Sequence, residues 1–202
     1  WPEDKEEDVE LENLPGSETA GTRKVAFGKE LYIERDDFMA EPIKKYRRLY
    51  PGNEVRLYKA YLVTCTGYDT DENGNVTCVH ATYDPATFGG DAPDGRKVRG
   101  TIHWVSAKEN TPLTARIYDR LFNVENPSDD SGVNSFEENL NPDSLTEKQG
   151  YGEVALATAK AGDRFQFMRD GYFCMDKDSA PGAPVFNRTV ALRDSFNIKK
   201  NK

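Results

Sequence analysis

The sequence predicts a mainly β protein built from antiparallel β-barrels, and three observations carry that expectation. Short runs rich in β-branched and aromatic residues recur at intervals along the chain. Tight-turn signals stand between them, the clearest being Asp69 to Asn75 (DTDENGN) and Arg169-Asp170-Gly171. Asn-Gly and Asp-Gly supply the positive φ angles of a narrow reversal. Only one substantial helical signal interrupts the strands, a mixture that belongs to barrel architectures.

Residues 1–22 begin with seven acidic residues (Glu3, Asp4, Glu6, Glu7, Asp8, Glu10 and Glu12) and then hold Pro15-Gly16. They predict an extended, poorly ordered lead-in. Strand patterning starts at Val25, and Glu30 to Glu34 is a second short strand. Asp36 to Leu49 is the helical candidate, with Phe38, Ile43 and Tyr46 loosely spaced, Pro42 limiting its start and Pro51-Gly52 ending it. Glu54 to Thr66 predicts one long strand, and Val76 to Tyr83 returns from the DTDENGN turn. Asp84 to Gly95 is loop, Lys97 to Val105 a strand, and Leu113 to Phe122 fits either strand or helix. Asn126 to Asp143 is polar and acidic, a connector between substructures. Val154 to Lys160 is a short segment. Arg164 to Met168 and Tyr172 to Met175 form a second hairpin, and Val185 to Arg193 is the last strand before a basic tail.

Ten Tyr, ten Phe and two Trp argue for a folded chain, because disordered chains lack aromatics. No apolar run approaches the roughly 18 residues of a membrane span, and no signal peptide precedes the acidic start. The odd set Cys65, Cys78 and Cys174 fits reduced thiols, so a cytoplasmic protein is expected. The formal charge of −8 counts against a nucleic-acid partner only on average. Lys44, Lys45, Arg47, Arg48, Arg56 and Lys59 face a single local acid, Glu54, and Tyr46, Tyr50 and Tyr58 interleave with them. Such a surface can stack bases while contacting phosphates. Arg96, Lys97 and Arg99 form a second basic knot, opposed by Asp91 and Asp94.

Catalytic signatures are missing. Asp69-x-Asp71-x-Asn73-Gly74 starts like a calcium loop, but its twelfth position is His80 and strands flank it, so a turn explains the residues. His80, His103 and the cysteines lack paired zinc-ligand spacing. Gly89-Gly90 and Gly150-x-Gly152 follow no phosphate-cradling pattern, and nothing marks a serine nucleophile. A binding module is expected rather than an enzyme.

Longer segments carry a resemblance. Asp94 to Ala107 (DGRKVRGTIHWVSA), Cys78 to Thr87 (CVHATYDPAT), Ile117 to Phe122 (IYDRLF), Phe165 to Cys174 (FQFMRDGYFC) and Phe186 to Asp194 (FNRTVALRD) occur in this order. Over roughly residues 20–196 they resemble the C-terminal anticodon-binding part of the glutaminyl-tRNA synthetases, class I enzymes. The resemblance implies two antiparallel β-barrels, proximal and distal, with one or two short helices. After the lead-in (1–22), residues 23–48 and 137–202 would build the proximal barrel, and 49–136 the distal barrel and connector. The family's HIGH-like and KMSKS-like motifs are absent from these 202 residues. The fragment is therefore expected not to aminoacylate alone, and ATP and Mg to belong to the parent enzyme's catalytic domain.

The family reads a C-U-G or U-U-G anticodon by splaying its bases, which exposes their edges to paired hydrogen bonds. By motif, Arg48 matches the contact to the third base, a guanine, and Arg47 a Lys near the same phosphates. Arg56 matches an Arg at the first base, and Tyr58 stands where close relatives have a second Arg, with Lys59 beside it to compensate. Gln166 and Arg169 match the residues that hold the central uracil. Gln offers one donor and one acceptor to uracil, and strand alternation turns it away from Phe165 and Phe167. The partners so implied are glutamine tRNA and the parent's catalytic domain, with no DNA, no membrane, no metal and a monomeric state. The alternatives are the same module of a glutamyl-tRNA synthetase, or a β-barrel protein-interaction module using the acidic lead-in as a docking tail.

Overall fold

A computed structural model describes residues 1–3, 5–127 and 136–192. The expected basic tail lies outside the described residues, as does part of the 126–143 connector. The chain is mainly β, and its contacts group into two compact units, Trp1–Asn110 and Thr111–Lys202. This grouping runs along different lines from a 49–136 distal barrel, because Leu31–Ile33 pairs with Trp104–Ser106 and ties residues before 49 to those after 100.

In the first unit, β1 (Glu7–Glu12) pairs antiparallel with β2 (Thr22–Phe27). The poorly ordered lead-in is thereby corrected. Within the acidic run, Val9 and Leu11 sit at the period-2 positions of a strand, and both are buried. The Tyr61 hydroxyl donates to the Glu7 carboxylate, and that bond is the main reason the Glu7 carboxyl is held below its usual range. Lys24 pairs with Asp8 at 3.0 Å.

β3 (Leu31–Ile33) leads into a single 3-10 turn, Arg35–Asp37, where a helix to Leu49 was expected. The segment instead folds back on itself. Phe38 and Leu49 form a parallel bridge, the Leu49 N–H donates to the Asp37 carbonyl (2.9 Å), and the Met39 N–H donates to the Leu49 carbonyl (3.1 Å). Pro42 lacks the amide that a continuous helix needs at this point.

The expected long strand is two: β4 (Glu54–Leu57) and β5 (Leu62–Thr70), broken where Lys59 adopts φ 56°. β6 (Val76–Asp84) returns antiparallel through the Asn-Gly turn, as expected. β7 (Thr101–Ile102) and β8 (Trp104–Ser106) follow, and Lys97 to Gly100 stays outside the strands. The sheet order is β6-β5-β4-β7, with β4 and β7 parallel, beside the pairs β1-β2 and β3-β8. Val55, Ile102, Trp104, Tyr61 and Phe27 share one core with the buried face of β1.

The second unit is a five-stranded sheet in the order β10-β9-β13-β12-β11. Its strands are β9 (Asn110–Tyr118), β10 (Leu145–Glu153), β11 (Arg164–Phe167), β12 (Gly171–Met175) and β13 (Val185–Val190). β9 resolves the open choice at Leu113 to Phe122 as strand. β13 pairs parallel with β9 and antiparallel with β12. A 3-10 turn, Val154–Thr158, brings Leu156 onto Leu113, Phe173 and Phe186 in the core. Phe167 stacks on Phe173 with centroids 4.4 Å apart. Among the described residues the pairings give open sheets and do not close into a ring.

Candidate nucleic-acid interface

The fold-back of residues 37–49 positions Arg48. Its Nε lies 3.2 Å from Asp37 Oδ1, and its Nη1 donates to the Asp36 carbonyl at 3.0 Å. Asn53 Nδ2 donates to the Arg48 carbonyl at 2.7 Å, which fixes the backbone beneath the side chain. The Asp37 side chain is wholly buried, while that of Arg48 is 38% exposed. The guanidinium is thus anchored on its inner side, and Nη2 makes no bond among the described residues. A planar fork held this way can approach a guanine edge in one orientation, which a flexible Lys cannot.

Arg47 is exposed, and its side chain makes no bond among the described residues. Its backbone is tightly seated against Gly100, where φ is 125° and a Cβ would stand 1.9 Å from the Arg47 carbonyl oxygen. The Gly100 carbonyl in turn accepts the Arg56 N–H (3.0 Å). Gly100 therefore joins the 44–59 basic run to the 96–99 knot. Lys44, Lys45, Arg47, Lys97 and Arg99 are exposed there without an ion pair among the described residues.

Arg96 has a different task. Its guanidinium bonds Glu54 twice (2.9 Å each), Asp84 (2.5 Å) and Asp94 (2.7 Å), riveting β4, the end of β6 and the following loop. Its donors are committed to protein, so the second basic knot contributes only Lys97 and Arg99 to a surface charge.

Arg56 lies on β4 with a 3.5 Å contact to the exposed Asp91, a pair of the kind that contributes about 0–1 kcal/mol and yields readily to a stronger anion. Tyr58 and Lys59 form the turn after β4. The Tyr58 N–H donates to the Ile102 carbonyl and its carbonyl accepts Trp104 Nε1, both at 3.0 Å. The Tyr58 ring is half-buried against the core. Lys59 is exposed, 3.9 Å from Glu12.

Gln166 and Arg169 belong to the second unit. Gln166 is exposed on β11 and faces Tyr172 across the hairpin, while Phe165 and Phe167 turn inward toward Phe186. Tyr172 is 46% exposed, so an amide and an aromatic face stand side by side. Arg169 sits half-buried at φ 70° in the turn, closed by the Asp170 N–H to the Phe167 carbonyl (3.0 Å). Gly171 must follow, since a Cβ there would lie 2.4 Å from the Val190 carbonyl oxygen at φ 143°.

Sequence reasoning missed Asp37, Gly100 and Tyr172 as parts of this arrangement. For Tyr172 the signal was present, because alternation through Tyr172-Phe173-Cys174 sets Phe173 inward and its neighbours outward.

Exposed cations without an ion pair among the described residues and an anchored guanidinium on the loops of the first unit, and an amide beside an exposed ring on the sheet of the second, are the features of a nucleic-acid-binding β scaffold. Two family models, both described as tRNA synthetases class I (E and Q), anti-codon binding domain, match residues 1–84 and 101–176. The chain belongs to this family. It is 52% identical over 197 residues to the glutamine–tRNA ligase of Bradyrhizobium diazoefficiens, a match covering 97% of this chain and 35% of that protein. To the glutamine–tRNA ligase of Clostridium kluyveri it is 46% identical over 203 residues (100% and 36%). To that of Vibrio cholerae it is 50% identical over 191 residues (94% and 34%). The chain spans about a third of the length of these relatives.

Proposed function

We propose that this chain is the anticodon-reading part of a glutamine–tRNA ligase. Arg48 grips the third base, Arg56 with Tyr58 and Lys59 the first, and Gln166 with Arg169 the central uracil, while Arg47 and its neighbouring cations hold phosphates. ATP and magnesium chemistry belongs to the rest of the parent protein, which the chain would serve in the cytoplasm as part of a monomer.

One observation carries the reading: Arg48 is oriented by Asp37 and Asp36, yet among the described residues its Nη2 makes no bond and the neighbouring exposed cations Lys44, Lys45 and Arg47 make no ion pair. Orienting a donor before binding reduces the ordering cost of recognition. The identity of the relatives favours the glutamine over the glutamate anticodon. The protein-interaction alternative loses its docking tail, because the acidic run is a paired strand with a buried face.

The test is a binding comparison of glutamine and glutamate anticodon stem-loops across a salt series. The account expects tighter binding of the glutamine hairpin and a log-affinity that falls linearly with log salt. Equal affinity for both hairpins would refute it.

A further inference from the structure

The outer end of the β5–β6 hairpin gathers three metal-ligating side chains that RNA reading does not use. Strand alternation puts Cys78 and His80 on one face of β6, and the pairing register sets Asp69 of β5 opposite Cys78. His80 faces Gly67, which has no side chain to obstruct it, and its ring leans to Asp69, with Nε2 2.8 Å from Oδ2. One donor atom from each residue, a thiol sulfur, an imidazole nitrogen and a carboxylate oxygen, lies within 4.8 Å of the other two. All three residues are exposed.

We propose that Asp69, Cys78 and His80 form a zinc-binding site. A tetrahedral zinc ion places its N, O and S ligands about 3.3–3.6 Å apart. The existing cluster reaches that spacing by opening the His80–Asp69 bond by about half an ångström and closing the sulfur inward. Thiolate and imidazole select a borderline ion such as Zn2+ over calcium or magnesium, which prefer all-oxygen shells. The nearby Asp71 is not a fourth ligand. Its carboxylate already accepts from the Asn73 N–H (2.9 Å), the Asn75 N–H (2.7 Å) and Asn75 Nδ2 (2.9 Å), which builds the turn. Solvent fills the fourth position, and the ion pins the two strands together one step before the turn. Fingers and helices present paired ligands as Cys-x-x-Cys or His-x-x-x-His; on a strand the equivalent spacing is Cys-x-His, as at Cys78 and His80.

The experiment titrates zinc, against a chromophoric chelator, into the full-length protein carrying this chain and into its Cys78→Ser, His80→Gln and Asp69→Asn variants. Circular dichroism verifies that each is folded. The parent is expected to bind one zinc equivalent more than Cys78→Ser, and each variant to lose at least about tenfold in affinity at that site. Cobalt in place of zinc should give a thiolate-to-metal charge-transfer band in the parent and lose it in Cys78→Ser, while Cys174→Ser keeps it. Equal zinc stoichiometry and affinity in parent and variants, or a cobalt spectrum unchanged by Cys78→Ser, would overturn the proposal. Neither result depends on whether RNA binds elsewhere.

Discussion

Asp37 and Arg48 form an ion pair between a fully buried carboxylate and a half-exposed guanidinium, with Nε and Oδ1 3.2 Å apart. The pair closes the 37–49 loop at its base, beside the backbone bond from Leu49 to Asp37. It turns a mobile side chain into an oriented one. Asp37→Asn keeps the shape and removes the charge. It should cost about 1–3 kcal/mol of unfolding free energy and weaken preference for the third anticodon base without altering preference at the first. Denaturant melts and single-base stem-loop variants measure the two effects.

Gly100→Ala tests the seating of Arg47. The new Cβ has no room at 1.9 Å from a carbonyl oxygen, and φ 125° adds strain of about 1–3 kcal/mol. A lowered melting temperature and weaker tRNA affinity should appear together. Gly74→Ala, in the open β5–β6 turn with nothing within 4 Å of its Cβ, should leave tRNA affinity unchanged.

Gln166 and Tyr172 should separate by the kind of loss they cause. Gln166→Ala is expected to flatten discrimination at the central base. Tyr172→Ala is expected to cost about 1–3 kcal/mol with any base there, because every base has a face to stack. Affinities for the four central-base variants distinguish edge recognition from stacking.

Arg96 predicts a pH dependence. It holds two aspartate carboxyls below their ordinary value of 3.8: Asp84 chiefly through its side-chain bond and Asp94 chiefly through its backbone N–H. A carboxyl depressed in the folded state adds stability above its unfolded pKa, and loses it as pH falls through the lower folded value. Arg96→Gln should therefore be less stable than the parent at neutral pH, and the gap should narrow as pH drops below about 4. Urea midpoints of both proteins across pH 2.5–7 provide the check.

Local chemistry made part of this legible in the sequence. The Asn-Gly hairpin was readable because the turn residues specify their own conformation. Gln166 facing outward was readable from the phenylalanines on either side. The strand at Glu7–Glu12 was hidden because acidic composition outweighed two apolar residues at alternate positions. The loop at 37–49 was misread as helix because its organiser is a tertiary clasp, Asp37 with Arg48 and Leu49, that no local spacing reports. The parallel pairings of β4 with β7 and β13 with β9 join distant residues, and β10 is too polar to announce itself. Arg96 counted in the sequence as one charge of a basic knot; of the three carboxylates that hold it, Glu54 and Asp84 lie 42 and 12 residues away, beyond what local spacing reports.

Arg48 gives the central claim its most direct measurement: the affinity of the full-length protein for a glutamine anticodon stem-loop ending in guanine, against the same hairpin with adenine there, for the parent and Arg48→Ala. The account predicts a preference for guanine of about 1–3 kcal/mol in the parent and its disappearance in the variant. A preference that survives Arg48→Ala undiminished would contradict it.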